Sequence, residues 1–369
     1  MQSGMLMPSL TGLLAIAMLP AVTLAQEVTH IPLVSGLTLV SATQLTTGDQ
    51  ENLVTVGEVS AQGANYGWTF TQKKGNTTET GTFRRFVRIE DLTSAPRLNA
   101  VFFSNDVDRF PGSTAFSMSR AVLEKLKGGA TVPYSFAKVD GVDVGTGMAG
   151  AIGGLLRTRV YMRGSLTPVA SGLKHMSLLV NGKRVTVPVT QARGSFALRV
   201  QKLEGDFFIL DDAQHPLLLR AVVGGYAFQM IRVDFPNAGA ASKTVEADLV
   251  AKCRAEIPGV YFDLGSADLR PESAAALSEI GRVMGSHADW KLSVEGHTDA
   301  VGTAASNLAL SRRRAEAVKA ALSSRYRVAA SRLTAAGFGQ TVPREPNTTL
   351  EGRARNRRVE VVRSCPGKP

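Results

Sequence analysis

Residues 295–302 read Glu295-Gly296-His297-Thr298-Asp299-Ala300-Val301-Gly302, and residues 307–315 read Asn307-Leu308-Ala309-Leu310-Ser311-Arg312-Arg313-Arg314-Ala315. The first stretch follows an alternating strand, Leu292–Val294, and turns through a loop that carries a carboxylate and a glycine. The second opens a helix expected over Asn307–Tyr326, with Leu308, Ala315, Val318 and Leu322 facing inward. Asn307 and Arg314 are seven residues apart. Two turns put them on one helix face, roughly 10 Å apart along the axis. Helical side chains lean toward the N-terminus, so Arg314 reaches back toward the loop bearing Asp299. One pocket can then offer a carboxylate and a guanidinium, which suits a zwitterion. Asp299 would accept from an ammonium, and the planar fork of Arg314 would donate two bonds to a carboxylate. Without a surrounding motif, such an Asp–Arg pair is most often a structural salt bridge.

The sequence around these stretches alternates between strand and helix signals. Val260–Phe262 reads as a strand. Pro271 opens a helix with Leu277, Ile280 and Met284 on its apolar face. Leu333–Ala336 reads as a strand, Thr348-x-x-Glu351 as a capping box that starts a third helix, and Val359–Val362 as the last strand. The order βαβαβαβ predicts an α/β sandwich with helices packed on a sheet. The chain has two cysteines, Cys253 and Cys365. They flank the first and last of these strands. If those strands are antiparallel neighbours, the cysteines meet, and a disulfide is expected between them.

Four pieces, in order, resemble the OmpA-like peptidoglycan-binding family. They are Val260-Tyr261-Phe262-Asp263; Glu295-Gly296-His297-Thr298-Asp299 with Gly302; Asn307 with Leu310, Ser311, Arg314 and Ala315; and Gly352-Arg353-Ala354-Arg355-Asn356-Arg357-Arg358-Val359-Glu360. The resemblance implies a non-catalytic domain that grips peptidoglycan. It also names the zwitterion as meso-diaminopimelate, held by Asp299 and Arg314, with Thr298, Asn307 and Arg357 in support. Two positions depart from the family pattern. Ala300 stands where a polar residue is frequent, and the loop after Asp263 reads Leu264-Gly265-Ser266. Arg312 and Arg313 read as a solvated face. Arg353 and Arg355 are expected to hold the last helix to the sheet, and Arg358 to point away from the ligand.

The rest of the chain reads differently. Met1–Ala25 contains no charged side chain and ends in small residues, so a signal peptide cleaved after Ala25 is expected, with an uncleaved anchor as the alternative. Residues 26–236 form an expected β-rich periplasmic domain. Its strand runs include Leu37–Val40, Leu53–Val59, Gly67–Thr71 and Thr82–Ile89. Tight hairpins are marked by Asn181-Gly182, with Lys183 as a possible bulge, and by Gly224-Gly225. One helix interrupts the β pattern, capped by Ser119 and ended by Gly128-Gly129. Residues 237–253 are a linker and short helix, in which Pro236–Lys243 reads as linker and Thr244–Lys252 as helix. Residues 254–365 are the OmpA-like domain.

Composition narrows the function classes. Hydrophobic residues make up 44% and charged residues 20%, too polar for a bundle of membrane helices. The net charge is +11. Residues 252–369 hold 19 Lys and Arg against 12 Asp and Glu, so this part is the more basic and favours anionic polymers. For an exported protein that means the cell wall or outer membrane, and no nucleic-acid partner is expected. The five histidines show no metal-ligand spacing, and His297 reads as structural. Gly145-Thr146-Gly147-Met148-Ala149-Gly150 matches a dinucleotide fingerprint but lacks the following helix and acidic residue, so it reads as a loop. No catalytic constellation, cofactor or metal site is expected. A soluble β-sandwich or half-barrel tethered to the wall leads as the reading of the N-terminal domain. The alternative is an outer-membrane, porin-like β-barrel with a periplasmic wall anchor.

Overall fold

The computed structural model describes residues 27–45, 48–74, 77–99, 107–139, 159–198, 201–224, 226–236, 239–263 and 265–365. The expected signal segment 1–25 and the Gly145–Gly150 motif lie outside these residues.

Leu39, Val54, Val56, Ala64, Tyr66 and Val87 are buried in one apolar core. They come from four consecutive antiparallel strands: β1 (Thr38–Leu45), β2 (Gly48–Ser60), β3 (Gly63–Lys74) and β4 (Thr77–Arg88). A strand's side chains alternate between faces, so every second apolar residue reaches the same side. The chain continues through α1 (Ile89–Ser94), β5 (Arg97–Leu98), β6 (Val107–Arg109), α2 (Arg120–Lys127), β7 (Val132–Val139) and β8 (Arg159–Pro168). It then runs through β9 (His175–Val180), β10 (Lys183–Leu198), β11 (Gln201–Leu210), β12 (Leu218–Val223) and β13 (Tyr226–Asp234). Among the described residues these strands form one 13-stranded sheet, ordered β5-β7-β8-β10-β11-β12-β13-β1-β2-β3-β4-β6, with β9 against β10 and β13. Thr114 links β5 to β4: it bridges to Leu98 and accepts at its carbonyl from Arg85 at 3.1 Å. A second core packs α2, through Val122, Leu123 and Leu126, against Tyr134, Met162, Phe196 and Phe207.

Local sequence explains the turns. Asn181 and Gly182 take φ of 48° and 75°, and Lys183 pairs directly with Val180, so the turn has two residues and no bulge. Ser119 caps α2 by accepting from the Val122 amide, and Gly128 ends it.

The C-terminal part starts with α3 (Gly239–Lys252). The expected linker therefore ends sooner than predicted, because Gly239-Ala240-Ala241 is followed by helix formers continuous with 244–252. The order is then β14 (Arg254–Glu256), α4 (Ala274–Ser286), β15 (Leu292–His297), α5 (Ala304–Tyr326), β16 (Leu333–Gly339), α6 (Leu350–Asn356) and β17 (Val359–Arg363). The expected βαβαβαβ order holds. The sheet runs β14-β17-β15-β16, with β15 and β16 parallel and the other pairs antiparallel. Its core joins Leu277, Ile280 and Met284 of α4 to Ala315, Val318 and Leu322 of α5 over Leu292, Val294 and Val361. The Cys253–Cys365 disulfide ties the two ends of this domain, with a Cα separation of 6.1 Å.

Three local expectations are corrected. The first strand is Arg254–Glu256 rather than Val260–Phe262, of which only Phe262 makes a bridge, to Leu269. The Tyr261 backbone is taken instead by Ser273 Oγ, which accepts from its amide at 2.9 Å and donates to its carbonyl at 3.0 Å. Leu308 is 51% exposed, because the inward stripe of α5 runs through Asn307, Ser311, Arg314, Ala315, Val318 and Leu322. The cap of α6 is Thr349, one residue later than expected, and Glu351 accepts from Ser177 of β9 rather than returning to the cap.

The two parts are packed together. Val40 and Leu53 bury Tyr261, and Ala42 and Ile231 bury Leu350. Both faces of β1 are thus covered, one by its own core and one by the C-terminal domain. Among the described residues no helix is long and apolar enough to cross a membrane.

Candidate ligand site

The site forms where β15 runs out. Gly296 lets this strand lie against α5, since a methyl group there would collide with the Ser311 carbonyl. After His297 the chain turns. The Thr298 amide donates to the Gly339 carbonyl at 2.9 Å, and Thr298 Oγ1 donates to the Asp299 carbonyl at 2.9 Å. Gly302, at φ 95°, completes the loop, and Thr303 caps α5. Asn307 then fastens the loop. Its Nδ2 donates to the Asp299 and Val301 carbonyls, both at 3.1 Å, and to Gln340 Oε1 at 2.7 Å.

Thr298, Asp299, Asn307 and Arg314 are all buried. Asp299 Oδ1 accepts from the Val301 amide at 3.0 Å, and Oδ2 accepts from Arg357 Nη1 at 2.5 Å. Arg314 lies two turns along α5 from Asn307, as the spacing predicts, with its guanidinium 4.8 Å from the Phe262 ring centroid. Its Nε donates to the Ser266 carbonyl at 2.9 Å. Burial pushes its pKa down to about 10, with Glu51 opposing as the strongest nearby negative charge. Among the described residues, no hydrogen bond or ion pair joins Arg314 to Asp299 or to any other carboxylate. The Asp299 carboxylate's ion pair is with Arg357.

Arg357 holds a further partner. Its Nε and Nη2 donate to Glu51 Oε1 of β2, at 2.9 and 2.6 Å. Burial works against its charge, yet Glu51 and Asp299 outweigh burial and raise its pKa. Supporting contacts that sequence reasoning missed are Phe262 as the stacking face, Gln340 at the end of β16, and Glu51. Ser266 stood in the loop singled out above, and it contributes its backbone.

The remaining arginines sort as follows. Arg312 and Arg313 are exposed. Arg353 bonds the Asn347 carbonyl at 3.0 Å and Arg355 lies 3.6 Å from Glu345, contacts that hold α6 to the loop before it. Arg358 turns away from the site to Glu360, at 2.6 Å.

Glu295, His297 and Glu360 come together and are buried, a grouping that sequence spacing does not reveal. Arg254 bridges both carboxylates at 2.7 and 2.5 Å, and Arg358 and Arg344 add to Glu360. Three guanidiniums already balance the two carboxylates, so the cluster is built as an ion-pair network around a histidine. Burial and Arg358 push the His297 pKa down to about 4. Its ring stacks on Phe338, with centroids 5.3 Å apart.

Residues 261–357 match the OmpA family, and this four-stranded mixed sheet under two helices is an OmpA-like domain. Outer membrane porin F of Pseudomonas aeruginosa is 42% identical over 102 residues, covering 28% of this chain and 29% of that protein. Peptidoglycan-binding protein ArfA of Mycobacterium bovis is 34% identical over 117 residues, covering 31% of this chain and 36% of that protein. The chain therefore spans about a third of the length of these curated relatives. The peptidoglycan-associated lipoprotein from Burkholderia pseudomallei is similar in structure at 33% identity, with a TM-score of 0.27, covering 28% of this chain and 88% of that one.

Proposed function

We propose that this chain is a non-catalytic peptidoglycan-binding protein of the cell envelope. In this reading it sits in the periplasm and tethers its N-terminal β domain, or the outer membrane, to the wall. The site clamps the free end of meso-diaminopimelate in the wall peptide. Arg314 donates to the ligand's carboxylate, and Asp299 accepts from its ammonium. Thr298 and Asn307 fix the loop that aims Asp299, and Arg357 adds positive charge on the carboxylate side.

The observation that carries this reading is the state of Arg314. A buried guanidinium normally has a carboxylate partner, because an unpaired buried charge is costly. Arg314 is 8% exposed, donates from Nε to a backbone carbonyl, and stacks on Phe262. Among the described residues nothing bonds its terminal nitrogens, which in this reading are kept for a two-pronged bond to a ligand. The basic balance of this domain and the name of its Mycobacterium bovis relative agree with an acidic wall peptide as that ligand. The described N-terminal sheet buries two apolar cores, whereas a porin's interior is polar, which favours the tether over the channel.

A pull-down on insoluble sacculi tests this proposal. Wild-type protein should sediment with diaminopimelate-containing sacculi and much less with walls that carry lysine at that position. Asp299→Ala and Arg314→Ala should each lose most of the binding. Undiminished sedimentation of both variants would remove the assigned site.

A further inference from the structure

The N-terminal domain places a carboxylate inside the candidate site. Glu51 of β2 pairs across the hairpin with Ala42 of β1, so the two side chains share a face. Ala42 on that face packs with Leu350 and Ala354 of α6, and Arg357 follows that helix directly. Apolar packing thus aims Glu51 at Arg357, where one of its oxygens takes two guanidinium nitrogens, at 2.9 and 2.6 Å. The other side of the same guanidinium holds Asp299.

The docking is reinforced away from the site. Arg270 donates to the Thr69 carbonyl at 2.6 Å, Arg184 pairs with Glu345 at 2.8 Å, Ser177 donates to Glu351 at 3.0 Å, and Arg232 donates to the Tyr261 hydroxyl. Glu51 pairs with Arg357, which also pairs with Asp299. Glu51 is the strongest negative charge acting on Arg314, ahead of Asp299. A carboxylate from the chain itself therefore stands among the groups assigned above to a ligand's carboxylate.

We propose that Glu51 is a built-in competitor of the wall peptide: with the domains docked it occupies Arg357, and the ligand's carboxylate binds by displacing it. This rests on the function proposed above. The wall-binding domain is then held partly closed by the domain it tethers, and any event that lifts β1 and β2 from α6 strengthens the grip on the wall.

The test uses the full chain and a soluble muramyl tripeptide containing diaminopimelate, titrated calorimetrically. Glu51→Ala and the isosteric Glu51→Gln should each bind the tripeptide about tenfold more tightly than wild type, because a competing state is removed. Glu58→Ala, an exposed acidic site on the same strand, controls for net charge and should leave affinity unchanged. Equal or weaker binding by both Glu51 variants would overturn the inference, as would an equal gain from Glu58→Ala. Adding Asp299→Ala to each chain separates the two claims. If it abolishes binding while the Glu51 variants show no gain, the site stands and the competitor does not. If it changes nothing, the assigned site falls and the inference falls with it.

Discussion

Asp299 and Arg357 are joined at 2.5 Å although they lie 58 residues apart in the chain. The bond ties the loop after β15 to the end of α6, and Arg357 continues to Glu51. One guanidinium thus bridges two carboxylates from two domains. Arg357→Ala leaves both without their main cation. It should destabilise the protein by about 1.5–3 kcal/mol, the usual range for hydrogen bonds to charged groups. Arg357→Lys should recover only part of this, since an ammonium cannot fork to both. Chemical denaturation of the three proteins decides it.

The Cys253–Cys365 disulfide closes a loop with a sequence separation of 112. In the chain-entropy model, cross-links of this span contribute about 4–5 kcal/mol. Reduction, or a Cys253→Ser/Cys365→Ser double variant, should lower the denaturation midpoint of the C-terminal domain accordingly. Thiol titration of unfolded, non-reduced wild-type protein should find no free thiol at either position.

The ion-pair network around His297 predicts acid lability. Burial, reinforced by Arg358, holds the folded His297 pKa at about 4, below its ordinary 6.5. The unfolded chain takes up a proton first as pH falls. The neutral ring's contribution is therefore complete above 6.5 and is lost between 6.5 and 4. Burial alone would raise the Glu360 pKa, but bonds from Arg254 and Arg358 win and lower it from 4.5 to about 2. Its contribution is complete above 4.5 and is lost as pH falls toward 2. Melting temperature should fall across both windows. In His297→Phe, which keeps a ring to stack on Phe338, the decline between 6.5 and 4.5 should flatten.

Gly337 of β16 lies so close to α5 that a methyl group would strike the backbone of Arg312. Overpacking of this kind typically costs about 1–3 kcal/mol. Gly337→Ala should lower the melting temperature and, by shifting α5, weaken sedimentation with sacculi. Normal stability and binding would show that strand and helix separate more freely than their packing implies.

The parts of the fold and site that were legible in the sequence depend on short-range geometry. A helix fixes Arg314 relative to Asn307, and a strand end followed by Gly302 fixes where Asp299 lies. Alternating strand and helix signals gave the C-terminal order for the same reason. The partner of Asp299 was not legible, because Arg357 reaches it from the end of another helix. The Val260–Phe262 run looked like a strand because its composition suits one. The Tyr261 backbone bonds go to Ser273 and to the Arg270 amide, and its ring leaves for the neighbouring domain. Glu51 carried no local signal, since it lies 306 residues from Arg357 and its direction is set by how β1 meets α6.

The staple between Cys253 and Cys365 also bears on mechanical load. A protein held at its wall site and pulled through α3 feels tension where the chain enters the C-terminal domain. Without a cross-link, that tension would peel β14 from β17 one bond at a time. With Cys253 bound to Cys365, the same pull reaches β17 from its own far end. The edge strand β14 and its inner neighbour β17 then bear the force together, and the domain behaves under strain as a closed bead rather than a frayed thread.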